Sequence, residues 1–114
     1  MQVHETIAYK VLTGAQALAL EDGCFDGAPV DIADGYIHLS TGAQVTETVD
    51  KHFAGQTGLV IAAVDLAALG SAIRWEVSRN GQLFPHLYGA LTMSAVLAYG
   101  PLTRNSDGTV RLPA

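Results

Sequence analysis

The sequence predicts an α+β fold: a mixed, mostly antiparallel sheet with two or three short helices. Two observations carry this. Strand-like runs outnumber helix-like runs, and the elements do not alternate as a regular βαβ series. A third, a tight-turn signal at Asn80-Gly81 between two strand-like segments, marks a hairpin, which is antiparallel by construction.

In chain order, Ile7 to Leu12 reads as a first strand. Gly14 to Leu20 reads as a short helix, with Thr13 as N-cap and Gly23 beyond its end. Residues 22–35 hold Gly, Asp and Pro with little periodicity and read as a loop. Tyr36 to Ser40 is a short strand. Thr41 and Gln44 fit a capping box opening a helix that runs to about Phe53 and stops at Gly55. Val45, Val49 and Phe53 supply its buried stripe. Leu59 to Val64 is apolar on both faces and reads as a central strand. Asp65 caps one helical turn ending at Gly70. Ala72 to Ser78 alternates, which gives one wet face. A hairpin partner follows, and Pro85 inside it argues for an edge or a break. Ala95 to Tyr99 is a last strand. Residues 105–109 form a turn, after which the tail either frays or adds a short strand.

The chain has 114 residues and reads as one domain over 1–114. The hydrophobic share of 49% against 15% charged excludes extensive disorder. A net charge of −5 with only six Lys and Arg makes nucleic acid a poor partner. The one cysteine, Cys24, forms no internal disulfide, and no apolar run spans a bilayer. The N-terminal stretch lacks the apolar core of a secretory signal, so the expectation is a cytoplasmic protein without a membrane.

Three segments carry chemistry. In Gly35 to Thr41, alternation places Ile37 and Leu39 in the core and Tyr36, His38 and Ser40 on the other face. The strand runs into a helix N-terminus at Gly42, whose amides suit an anion or phosphate. His38 beside such an end fits an active site or, equally, a hydrogen-bonded sheet residue; Ser40 and Thr41 fit capping better than binding. In Arg74-Trp75-Glu76, the set Ile73, Trp75 and Val77 faces inward and Arg74 and Glu76 outward. A surface ion pair is the plainer account, a base or ligand contact at Glu76 the sharper one. In Phe84 to Gly89, His86 and Tyr88 share one side of a segment fixed by Pro85, as ligand contacts or as packed aromatics with bonded tips. His38, Glu76 and His86 form a conceivable metal set without the close helical spacing that makes such assignments strong, so no metal is assigned. His4 and His52 read as incidental. No P-loop and no Gly-x-Gly-x-x-Gly occurs.

These three segments, in this order and spacing, resemble a bacterial family catalogued as domain of unknown function 952, from Ile7–Leu12 to Leu102. The family usually has Phe at position 36 and Pro at position 90, where this chain has Tyr36 and Ala90. The resemblance brings no established reaction. A remoter similarity, in His38 to Ser40, is to ADP-ribosyltransferase-type folds, which hold a ribose with such a histidine and add a stacking aromatic and an acid. That similarity implies an enzyme acting on NAD or a related nucleotide. His38, Glu76 and Tyr88 would be catalytic, and Tyr36, Ser40, Thr41, Gly42, Arg74, Trp75 and His86 would bind ligand. The order here, acid before tyrosine, departs from the common one. Two other readings stay open: a non-catalytic metabolite-binding or interaction module, and a metal-dependent hydrolase.

Overall fold

A computed structural model describes residues 5–113; His4 lies outside them. Ile7–Leu12 forms β1, and Gly14–Glu21 forms α1. Thr13 caps α1 with a complete capping box: Gln16 N–H donates to Thr13 Oγ1 (3.2 Å) and Thr13 N–H to Gln16 Oε1 (3.0 Å).

Within the stretch expected to be loop, Pro29–Asp34 forms a helix, α2. Proline stands at its first position and Gly35 closes it in the left-handed region at φ 87°. Asp31 takes the third helical position and accepts the Ala28 amide.

Ile37–His38 forms β2, only two residues long. A turn over 41–44 leads into α3, Val45–His52. Only half of the expected capping box forms there: Thr41 N–H donates to Gln44 Oε1 at 3.0 Å. Val60–Asp65 is β3, followed by the one-turn α4, Leu66–Leu69, whose amides bond the Asp65 carboxylate. Ile73–Val77 is β4, Leu83–Leu87 is β5 and Val96–Pro101 is β6. The tail stays docked: Arg104 bridges Val110, and Val110 is buried against α3.

The strands make two three-stranded sheets, β1-β3-β6 and β2-β5-β4, with every named pairing antiparallel. The expectation of one mixed sheet is corrected on both counts. The split has a local cause. Leu39 follows β2 and faces Pro85, so Leu39 N–H donates to Pro85 O (3.1 Å) but proline has no N–H to return. Pairing with β5 ends there. The next residue, Ser40, exchanges both backbone bonds with Tyr9 of β1, at 2.7 and 3.0 Å. The chain between 38 and 40 thus passes from one sheet to the other. Of the two expectations for Pro85, an edge or a break, the break is what forms: Pro85 sits in the central strand β5 with its N atom facing the end of β2, where pairing stops.

One apolar cluster spans both sheets, joining Ala8, Leu12, Ala62 and Val64 of the first to Ile37, Leu39 and Leu87 around the second. Val77, expected inward, is 68% exposed because β4 runs past the core at that end.

Candidate functional site

Side chains of paired antiparallel residues project to the same face. The pairs Ile37–Leu87, Ile73–Leu87 and Trp75–Pro85 therefore share the core face of β2-β5-β4. The opposite face carries the chemistry. His38 stands directly across from His86, and His86 directly across from Arg74, so one row holds two imidazoles and a guanidinium drawn from three separate stretches of sequence. Glu76 faces Phe84 in the next row. Tyr36 packs on the other flank: its ring lies 4.1 Å from His86 in a stacked arrangement, 4.7 Å from His38 and 5.2 Å from Tyr88.

His86 is 2% exposed and held by Glu76, with Nδ1 2.8 Å from Oε1. A carboxylate only accepts, so Nδ1 carries the proton in that bond. Nε2 has no hydrogen-bond partner among the described residues. Tyr88 O–H donates to the same Glu76 oxygen at 2.7 Å. Hydrogen bonds from His86 and then Tyr88 hold the Glu76 carboxyl below its ordinary range, and the same bond raises the Tyr88 phenol. The Arg74 guanidinium lies over the Tyr88 ring at 4.9 Å and has no acceptor among the described residues. The surface pair expected between Arg74 and Glu76 does not form; Glu76 serves His86 and Tyr88 instead.

His38 is held from both sides. Nδ1 is 2.6 Å from Asp31 Oδ1 and Nε2 is 2.9 Å from Asp34 Oδ2, with the side chain 29% exposed. Asp31 is 2% exposed and also accepts the His38 and Ala28 amides and the Lys10 ammonium, at 2.9 Å from Oδ2. Burial works against ionising Asp31, but the bond from the His38 ring, the Lys10 charge and the His38 amide together hold its carboxyl well below the usual range. Lys10 is 5% exposed, and burial pulls its ammonium down against the opposing pull of Asp31.

A cleft of about 760 Å³ opens beside this face, at the split between the sheets. His38, His86, Asp34, Ser40, Thr48, Phe84 and Arg79 line it, with Pro29 and Val30 of α2 and Phe53 beyond α3. Its volume is that of a site for a small organic ligand. His52, which looked incidental, also lines it.

Several expected site residues stand elsewhere. Trp75 lies on the core face and packs against the apolar cluster, so it cannot stack on a ligand beside His86. The expected phosphate seat at Ser40 to Gly42 is not open. Ser40 N–H already bonds Tyr9 O, Thr41 N–H bonds Gln44 Oε1, and Gly42 is covered by Leu112. Thr41 is buried, and the Ser40 hydroxyl pairs with Thr48 Oγ1 at 2.9 Å. His38, Glu76 and His86 do not converge as a three-ligand metal set among the described residues. Asp31, Asp34, Lys10 and Arg79 were not singled out from sequence. Proline, acid and glycine at positions 29, 31 and 35 mark a short capped helix and were the signal for the first two. A lysine alternating among core residues of β1 was the signal for the third.

A model of the family described as "Protein of unknown function (DUF952)" matches residues 12–99, which include all three segments. The crystal structure of protein CC0527 from Caulobacter crescentus is similar at 44% identity and TM-score 0.83, covering 94% of this chain and 95% of its own. Its solution NMR structure is similar at 45% identity and TM-score 0.77, covering 93% and 91%. No curated protein matches. No helix among the described residues is long and apolar enough to cross a membrane. With the family model covering most of the chain and this face assembled from the residues it spans, the protein belongs to the DUF952 family.

Proposed function

We propose that the face of β2-β5-β4 binds a nucleotide-type ligand such as NAD and supports transfer of an ADP-ribosyl type group. The observation that carries this reading is the row His38–His86–Arg74 with Glu76 and two tyrosines, of which His38 and His86 line a ligand-sized cleft. In this reading His86 is the base. Glu76 fixes its tautomer and ring plane, and Nε2 accepts the proton of the incoming hydroxyl as that oxygen bonds the anomeric carbon. The nicotinamide leaves with the electron pair of the glycosidic bond and so departs neutral. The Glu76 charge, close by, favours the oxocarbenium that develops. His38 binds the ribose: a ribose hydroxyl replaces the half-exposed Asp34 at Nε2, while buried Asp31 keeps the ring oriented from Nδ1. Exposed Tyr88 and the half-buried Tyr36 supply aromatic surface, and Arg74 meets an anionic group at the rim.

The test is calorimetric titration of NAD and ADP-ribose into wild type, His38→Ala and His86→Ala. Saturable heat from at least one ligand, weakened in both variants, supports the reading. Absence of heat from either ligand up to millimolar concentration removes it. Mass spectrometry of NAD incubated with the protein separates turnover from binding: intact NAD after saturable binding favours a non-catalytic module.

A further inference from the structure

We infer that the end of the cleft bounded by Arg79, Thr48 and Ser40 is an anion subsite that receives a phosphoryl group of the ligand. This rests on the reading of a nucleotide-type ligand at the His86 end, and it supplies the phosphate seat that the amides near Ser40–Gly42 do not.

Three observations lead here. The protein is acidic, with eleven Asp and Glu against six Lys and Arg. Yet the cleft is lined by Lys10, His38, His52, Arg79 and His86, and Asp34 is its single carboxylate. The carboxylates that pair with Lys10 and Arg79 (Asp31 and Glu47) stand outside the lining. A concave surface with two cations and one carboxylate, in a protein where carboxylates outnumber cations, favours an anionic ligand.

The second observation is the state of Arg79. Its guanidinium carbon lies over the Phe84 ring, 5.0 Å from the centroid, and Nη2 donates to Thr48 Oγ1 at 3.2 Å. Nε is 2.9 Å from Glu47 Oε1, but not in hydrogen-bonding geometry; it is the one buried side-chain polar atom without a hydrogen bond among the described residues. Nη1 has no acceptor either. A guanidinium has five N–H donors in a planar fork suited to phosphate oxygens, and most of these are unspent. Nε faces the Glu47 carboxylate, whereas the Nη1 N–H pair and the second N–H of Nη2 stay open to an acceptor that enters the cleft from solution.

The third is placement. Thr48 Oγ1 donates to Gln44 O at 3.2 Å and accepts from Arg79 Nη2, with Ser40 Oγ 2.9 Å away on the same cleft wall, so these hydroxyls fix the guanidinium beside the cleft. Phe84, under Arg79, and His86 lie two residues apart on one strand face, roughly 7 Å along β5. That is about the width of one ribose. An anomeric carbon at His86 therefore puts a 5′-phosphoryl group near Arg79. Arg74 also lacks an acceptor but does not line the cleft, so the proposal assigns the phosphoryl contact to Arg79.

The experiment is a titration of inorganic pyrophosphate into isotope-labelled protein at low ionic strength, followed by amide and arginine Nε–H resonances. The expected result is saturable shifts at Ser40, Thr48 and Arg79. Affinity falls about ten-fold or more in Arg79→Gln and stays within about two-fold in Lys51→Gln, which removes a cation outside the cleft lining. Thr48→Val, which keeps the charge, loses a smaller factor; it decides the matter if Arg79→Gln does not fold. Shifts centred on Arg74 and Tyr88, full affinity in Arg79→Gln, or no saturable shift in wild type would each overturn the subsite. A parallel titration with ADP-ribose separates this from the parent reading. Pyrophosphate bound at Arg79 with no competition from ADP-ribose keeps the anion subsite and removes the nucleotide. ADP-ribose bound without touching Arg79 does the reverse.

Discussion

Asp31→Asn is the most informative single substitution, because Asp31 joins the buried charge of Lys10 to the ring of His38. Two groups donate to Oδ1 alone, the His38 amide and ring Nδ1. The Ala28 amide donates to Oδ2, and Lys10 reaches both oxygens. Asparagine keeps the shape but offers one acceptor. With its oxygen toward His38, its NH2 confronts the Ala28 amide and the Lys10 ammonium. Each donor so orphaned costs about 1–3 kcal/mol, and breaking a buried ion pair from one side costs about 3–5 kcal/mol in all. For a chain of 114 residues, about 2.1 cal/mol/K of unfolding entropy per residue converts this to roughly 12–20 °C in Tm. Denaturant unfolding followed by circular dichroism measures it. Combining Asp31→Asn with Lys10→Met removes the stranded charge, so the double variant should recover at least about 1 kcal/mol relative to the sum of the singles. A loss under about 1 kcal/mol in Asp31→Asn, or strict additivity, would refute the buried triad as described.

Further outcomes follow from the same geometry. The folded Asp31 carboxyl is held below its unfolded value, so its contribution is complete above about pH 4 and is lost as the pH falls below that. The acid limb of the stability–pH curve should be shallower in Asp31→Asn, as urea midpoints across pH will show. Glu76→Gln should leave the fold intact and lower any transferase rate by about 100-fold or more, with little change in KM. Nitrogen-15 spectra of the His86 ring should show Nδ1 protonated in wild type, and that tautomer preference should weaken in the variant. Gly35→Ala meets no atom within 4 Å, so its cost is backbone strain at φ 87° alone. A loss of about 1–2 kcal/mol in Cm-derived stability is expected, and a much larger loss would mean that the space around α2 is not open.

The sequence made most strands readable because their burial is one-sided and alternating. Ile37 and Leu39 against Tyr36 and His38 predicted which face of β2 is wet, and Arg74 and Glu76 did the same for β4. What alternation within a strand cannot show is which strands are neighbours. The row His38–His86–Arg74 depends on the order β2-β5-β4, and that order is set by long-range packing. The split into two sheets depends on Pro85 lying opposite Leu39, a cross-strand fact invisible in either segment alone. The helix α2 was missed because six residues are too few for a periodic stripe, although its punctuation was present. Its omission hid Asp31 and Asp34, and with them both hydrogen-bond partners of the His38 ring. Ser40 and Thr41 misled in the other direction. Their types suit an anion site, but strand exchange with Tyr9 and the Gln44 side chain consumes their amides first.

The face of β2-β5-β4 as a ligand surface is tested most directly by a crystal structure of the protein grown with saturating ADP-ribose. Density should fill the cleft between the sheets, with the ribose at His38 and His86 and a phosphoryl group at Arg79. An empty cleft under those conditions, or the nucleotide held on the Trp75 side of the sheet, would contradict it.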